Sequence, residues 1–168
     1  MIQRITVLTR YFSKSMLVSL SGMLYLLLTL AFWFVFFNPQ QQTPEEAYYQ
    51  LVIGGFGTAM AFLVTLSVAA RANAAEHYPI MVRLQSRVEM VTAVLASSLI
   101  LTVFYELVLA LLALVNGPDL TLGHILELPP LWLAPMVVAA VLALHASDFI
   151  TIGWSRIYVF GVLAILLF

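Results

Sequence analysis

Few side chains of this sequence could do chemistry, and the most conspicuous is an acid in a costly place. Glu106 is the one charge well inside a long apolar run, Met90 to Val115. At about 1.5 Å per residue it lies some 24 Å from the start of that run, nearer its outer end. An isolated carboxylate at such depth costs several kcal/mol, so it must be protonated, paired or turned toward water. No Lys or Arg of the chain reaches that depth. A role in relaying protons or lining a substrate path is one reading. The other is a neutral Glu bonded to a nearby hydroxyl, hydrated close to the outer interface, or paired with another subunit. His145 and Asp148, three apart, would share a helix face. They make His145 a candidate ligand for a tetrapyrrole or quinone, yet one imidazole and one carboxylate are too few for a metal. His77 and His124 fall in expected loops and should be solvated. Trp33, Trp132 and Trp154 fall near span ends, where indoles anchor at the membrane interface.

Motifs of soluble enzymes are absent. The sequence GGFG at 54–57 lies in apolar helix rather than between a strand and a helix, so it is no phosphate loop. There is no serine elbow or His-rich zinc motif. The lack of cysteine removes disulfides, thiolate metal sites and cysteine nucleophiles together. The reading is a protein that is not an enzyme and carries no cofactor or metal.

The elements that position these residues follow from composition. Of 168 residues, 63% are hydrophobic and 9% charged, with a mean hydropathy of +1.04, too much apolar surface for a water-soluble core to hide. The net charge of −1 and the lack of a basic block exclude nucleic acid as a partner. The expected fold is all-α, a single polytopic transmembrane bundle of about five spans with interfacial helices.

Residues 2–15 place Ile2, Ile5, Leu8 and Phe12 at helical spacing, with Gln3, Arg10 and Lys14 on another face, which predicts an interfacial helix. The run that follows is long for a signal peptide and lacks a small-x-small cleavage site, so it is read as retained. It forms span 16–37, about 33 Å long, ending in Phe32, Trp33, Phe34, Phe36 and Phe37. Span 51–70 carries Gly54 and Thr58, and Gly57 and Ala61, each pair four apart, which marks a face for close helix approach. Span 90–115 is closed by Asn116-Gly117-Pro118, and a loop through PDLTLGHILELPP leads to the short span 131–147, with Ala139, Ala143 and Ser147 in a row. Residues 150–168 make a fifth crossing with Arg156 snorkelling, a re-entrant segment, or the start of a chain that continues past Phe168.

With five spans, Arg4, Arg10, Lys14, Arg71, Arg83, Arg87 and Arg156 all fall on one side, which the positive-inside rule makes cytoplasmic. The expected location is therefore the cell membrane, with the N-terminus in the cytoplasm. Glu45, Glu46, Asp119 and Glu127 fall outside.

Between the second and third spans, residues 71–89 read RANAAEHYPIMVRLQSRVE. From Pro79 this is a short amphipathic helix, with Ile80, Met81, Leu84 and Val88 on one face and Arg83 and Arg87 on the other. Such a segment, tethered at both ends, lies flat at the bilayer surface.

A cationic interfacial helix, a span, an acidic outer loop, a span, and a surface segment leading through AEHYPIMVRLQSRVEMVTAVLASSLI into the third span is an order that resembles the permease subunits of type-2 ATP-binding-cassette exporters. The likeness covers residues 1–115 and is one of topology; such permeases usually carry a further span and a longer chain. It implies that Pro79, Arg83, Arg87 and Glu89 belong to a coupling segment that contacts a separate cytoplasmic nucleotide-binding ATPase. Other membrane subunits and the lipid bilayer are the remaining expected partners. The rival reading is an accessory, structural subunit of a large respiratory or photosynthetic membrane complex, packed against cofactor-bearing neighbours. A dimerising half of a secondary transporter ranks below both, because no internal repeat or pair of broken helices is evident.

Overall fold

The computed structural model describes residues 2–37, 46–74, 77, 86–115, 122–147 and 149, and all regular helix or strand structure among them is helical. The helices are α1 (Ile2–Leu17), α2 (Leu20–Phe36), α3 (Glu46–Ala72), α4 (Arg87–Leu114) and α5 (Leu122–Ala146). The expected fifth crossing over 150–168, the outer loop over 38–45 and most of the segment from Ala75 to Gln85 lie outside the described residues.

Two helices are long and apolar enough to cross a membrane. They are α3, through Ala47–Ala72, and α4; the bent pair α1 and α2 adds a third if it counts as one span. In α5 the strongly apolar part is shorter, Pro130–Ala146. With 27 and 28 residues, α3 and α4 are roughly 40 Å long, which exceeds a hydrocarbon core of about 30 Å and is accommodated by tilt. Apolar helices of this kind fit a membrane location.

Ser19 makes the joint between α1 and α2. Its extended backbone (φ −84°, ψ 161°) ends one helix, and its hydroxyl donates to the Met16 carbonyl (2.6 Å) while accepting from the Gly22 amide (3.3 Å), so one side chain serves both orphaned ends. The axis turns by 67° there. Leu8, Thr9, Phe12 and Met16 are buried, and α1 makes its main contact with α4. The amphipathic face read from the sequence is therefore spent largely on protein.

Burial in α4 explains its central place. The buried positions fall in two rows at i, i+4 spacing: Glu89, Ala93, Ser97, Leu101, Tyr105, Leu109 and Ala113, then Met90, Val94, Ser98, Thr102, Glu106 and Ala110. A row at that spacing winds slowly round the helix. Hence α4 can present core to α1, α2, α3 and α5, all of which it touches. Ser86 caps it, accepting from the Val88 amide at 3.1 Å.

The segment expected as a loop before residue 131 is instead helical from Leu122, so His124, Glu127 and Pro129-Pro130 stand within α5. Apolar residues flank the prolines on both sides in the sequence, and α5 as a whole makes its most extensive pairing with α3, the kind of packing that lets a helix run through proline in a bundle.

Helix α2 is joined to the rest at a few points. The Tyr25 hydroxyl reaches the Leu63 carbonyl (3.0 Å) and the Ser67 hydroxyl (2.6 Å), and Trp33 donates from its indole nitrogen to the Leu112 carbonyl (2.9 Å). Elsewhere it leaves a groove of about 360 Å³ against α3, lined by Leu28, Phe32, Phe36, Gly55, Phe56 and Ala59 among other apolar residues.

Candidate functional site

Glu106 sits at the meeting of α3, α4 and α5. It is fully buried, and among the described residues neither carboxylate oxygen has a hydrogen-bond partner. What faces it is glycine: a β-carbon built on Gly57 would stand 3.0 Å from Oε1 of Glu106 and 2.6 Å from the Met136 methyl of α5. One turn along α3, a β-carbon on Gly54 would overlap the Trp132 indole. Trp132 is thus packed against α3, and its buried indole N–H has no partner among the described residues. The small residues flagged in the second span are the notch that admits the large groups of α4 and α5.

The surroundings are polar along one line. Thr102 and Ser98 precede Glu106 at i, i+4 spacing in the same buried row, donating to the Ser98 carbonyl (2.9 Å) and the Val94 carbonyl (2.8 Å). Across from them, α3 buries Gly57, Ala61 and Thr65 at the same spacing, running antiparallel to α4. The Thr65 hydroxyl is fully buried and, among the described residues, unpartnered. Toward the N-terminal end of α3 the Tyr49 hydroxyl donates to the Ala110 carbonyl at 3.3 Å. Among the described residues no group of His, Cys, Asp and Glu could hold a metal. The groups that close on the acid at the Gly57 face are the glycine itself and the Met136 methyl, so the described residues offer no set of metal ligands there.

The second candidate region is the stretch between α3 and α4. Pro79 and Arg83 lie outside the described residues. Arg87 opens α4 and is exposed; Glu89, two residues on, is 3% exposed, with Oε2 unpartnered among the described residues. Glu89 therefore faces the interior of this chain, beside the first turn of α4, whose partial positive charge favours an acid. His77 is a correction: expected in water, it is 2% exposed, with ring centroids 5.7 Å from Tyr11 and from Phe12 of α1, and Nε2 lies 3.2 Å from the Tyr11 hydroxyl. An imidazole with aromatic neighbours buries well once one nitrogen finds a hydroxyl. Arg71, at the end of α3, donates through Nη1 to the Ser15 carbonyl (3.1 Å) and hydroxyl (3.0 Å).

His145 is exposed, with Nδ1 2.9 Å from the Val141 carbonyl one turn back, and Asp148 lies outside the described residues. The structure brings Glu106 together with Gly57, Met136, Thr102 and Ser98. Sequence reading missed Thr65, Trp132 and His77 as parts of either region. The spacing of Ser98, Thr102 and Glu106 was visible in the sequence; the contact of His77 with α1 had no local signal.

Replacing Arg71 by Ala removes two hydrogen bonds from a charged donor, each of a kind worth roughly 1.5–3 kcal/mol when buried and less here, where the side chain is half-exposed. The expected result is a loss of about 1–2 kcal/mol and faster amide exchange at the C-terminal turn of α1, measured by hydrogen–deuterium exchange in detergent. Exchange unchanged in α1 would mean that the contact holds nothing.

The chain matches no family model, no curated protein and no solved structure.

Proposed function

We propose that the chain is an integral membrane subunit that works through partner proteins, similar to the permease subunit of a type-2 ATP-binding-cassette exporter, with nucleotide hydrolysis supplied by a separate cytoplasmic ATPase. The observation that carries this reading is the fastening of the α3–α4 connection to α1: His77 is buried against Tyr11 and Phe12, and Arg71 is bonded to Ser15. A connection that passes force from a soluble motor into a helical bundle must be tied to the bundle, or the motor's stroke is lost in a loose loop. Arg87 remains exposed at the mouth of α4, where a charged partner can reach it. In this reading five crossings place the N-terminus and all seven cations in the cytoplasm of a cell whose membrane holds the chain.

The test is capture of the full chain from native membranes. A soluble nucleotide-binding subunit is expected to co-purify, and the double reversal Arg83→Glu with Arg87→Glu is expected to release it, because like charges set against each other cost several kcal/mol at an interface. Capture of redox or pigment proteins alone would replace this reading by the accessory-subunit one. That second reading has its own support in the apolar groove between α2 and α3, which suits a neighbouring transmembrane helix.

A further inference from the structure

The junction around Glu106 selects its own ligand. An acid fully buried within a span, with no partner among the described residues, is retained at a cost, and groups of this kind mark ion or proton sites in membrane bundles. A metal ion needs several oxygen or nitrogen ligands, and the atoms closest to the Gly57 face are a carboxylate and the methyl of Met136. An organic cation needs space, and here even a single added carbon at Gly57 would crowd Met136 and Oε1 at 2.6 and 3.0 Å. A proton needs neither.

We propose that Glu106 is a proton-binding site at the junction of α3, α4 and α5, which closes over the protonated acid and opens to water when the proton leaves. In binding, an O–H bond forms at one carboxylate oxygen, the proton comes from hydronium and leaves a water molecule behind, and the charge of the bundle rises by one. In release, the carboxylate demands hydration, because a bare charge in a dry interior costs far more than the packing of one methyl group. The Met136 methyl against Gly57 is the part that must give way. Thr102, Ser98 and Thr65 then offer hydroxyl oxygens to the entering water along the α3–α4 seam; those of Thr102 and Ser98 each keep lone pairs free after donating to a carbonyl, and that of Thr65 is unpartnered.

The groups around the acid leave it to act alone. From α3 the titratable neighbour is Tyr49, held to Ala110; on α4 it is Tyr105, whose hydroxyl donates to the Gly22 carbonyl (3.3 Å) with Tyr25 of α2 beside its ring. From α5 come Met136 and Trp132, which do not titrate, and the exposed His145 is two and a half turns beyond Met136. Arg71 on α3 is about 21 Å from the level of Gly57, and Arg87 is about 28 Å down α4 from Glu106. Among the described residues no cation stands beside the carboxylate in place of the proton.

The experiment uses the full chain in lipid vesicles and infrared difference spectra between mildly acidic and mildly alkaline buffer. A carbonyl band of a protonated carboxylic acid is expected to disappear on alkaline exchange, to be missing from Glu106→Gln, and to change position and midpoint in Glu106→Asp. The emission component that is lost in Trp132→Phe is expected to shift with the same midpoint, because that indole packs on Gly54 one turn from Gly57. Difference spectra identical in the parent, Glu106→Gln and Glu106→Asp would overturn the site. A titrating band with motionless Trp132 emission would overturn the opening. The proposal stands apart from the permease reading: capture of partners tests the α3–α4 connection and the spectra test the junction, so either can fail alone.

Discussion

Gly54→Ala is expected to destabilise the bundle by about 1–2 kcal/mol net, although alanine is the better helix former. The added methyl would overlap the Trp132 indole, and overfilling a packed interior costs about 1–3 kcal/mol. The helix-propensity gain of alanine over glycine, at most about 1 kcal/mol, opposes that cost without cancelling it. The same substitution one residue on should go the other way. A β-carbon on Gly55 meets nothing, because it faces the groove toward α2, so Gly55→Ala is expected to be neutral or to stabilise by up to about 1 kcal/mol. Equilibrium unfolding in mixed micelles measures both. Trp132→Leu makes room for the methyl, so in that background Gly54→Ala should cost about 1 kcal/mol less. Equal losses at Gly54 and Gly55, or no coupling with Trp132, would show that α3 and α5 do not meet at this notch.

Substitutions at Glu106 should separate by charge rather than by size. Glu106→Leu removes a buried group without partners, so stability is expected to hold or to rise, since an apolar group of similar shape replaces an unsatisfied one. Glu106→Gln keeps the shape and should stay within about 1 kcal/mol of the parent. Glu106→Lys sets a fixed cation in the same dry site and is expected to cost at least about 3 kcal/mol, the insertion cost of a lysine deep in a bilayer, with further loss because Gly57 and Met136 leave no room for the longer arm. The readout is again unfolding in micelles, with the yield of folded protein as a second measure. A Leu variant as damaged as the Lys variant would reveal a partner for the carboxyl and would remove the reason to regard Glu106 as more than structural.

The sequence shows plainly that this chain is helical and apolar enough to live in a membrane. The runs at 51–70 and 90–115 become α3 and α4, and the interfacial pattern at 2–15 becomes α1, ending at a serine built to cap the next helix. These features are written in local periodicity, and local periodicity is what the backbone obeys first. The start of α5 was misread because prolines usually mark loops, whereas in a bundle the neighbouring helix can hold a segment helical through them.

Composition and spacing alone determined the two longest helices, the small-residue face at Gly54 and Gly57, and the position of Glu106 along its helix, since each depends only on residue type and the fixed rise of a helix. Which groups that face would meet was settled by the tertiary structure, which set Trp132 and Met136 against the glycines, left the Glu106 carboxyl without a partner among the described residues, and drew His77 under α1. Contacts between helices far apart in the chain depend on how whole faces interlock, and no stretch of sequence carries that shape by itself.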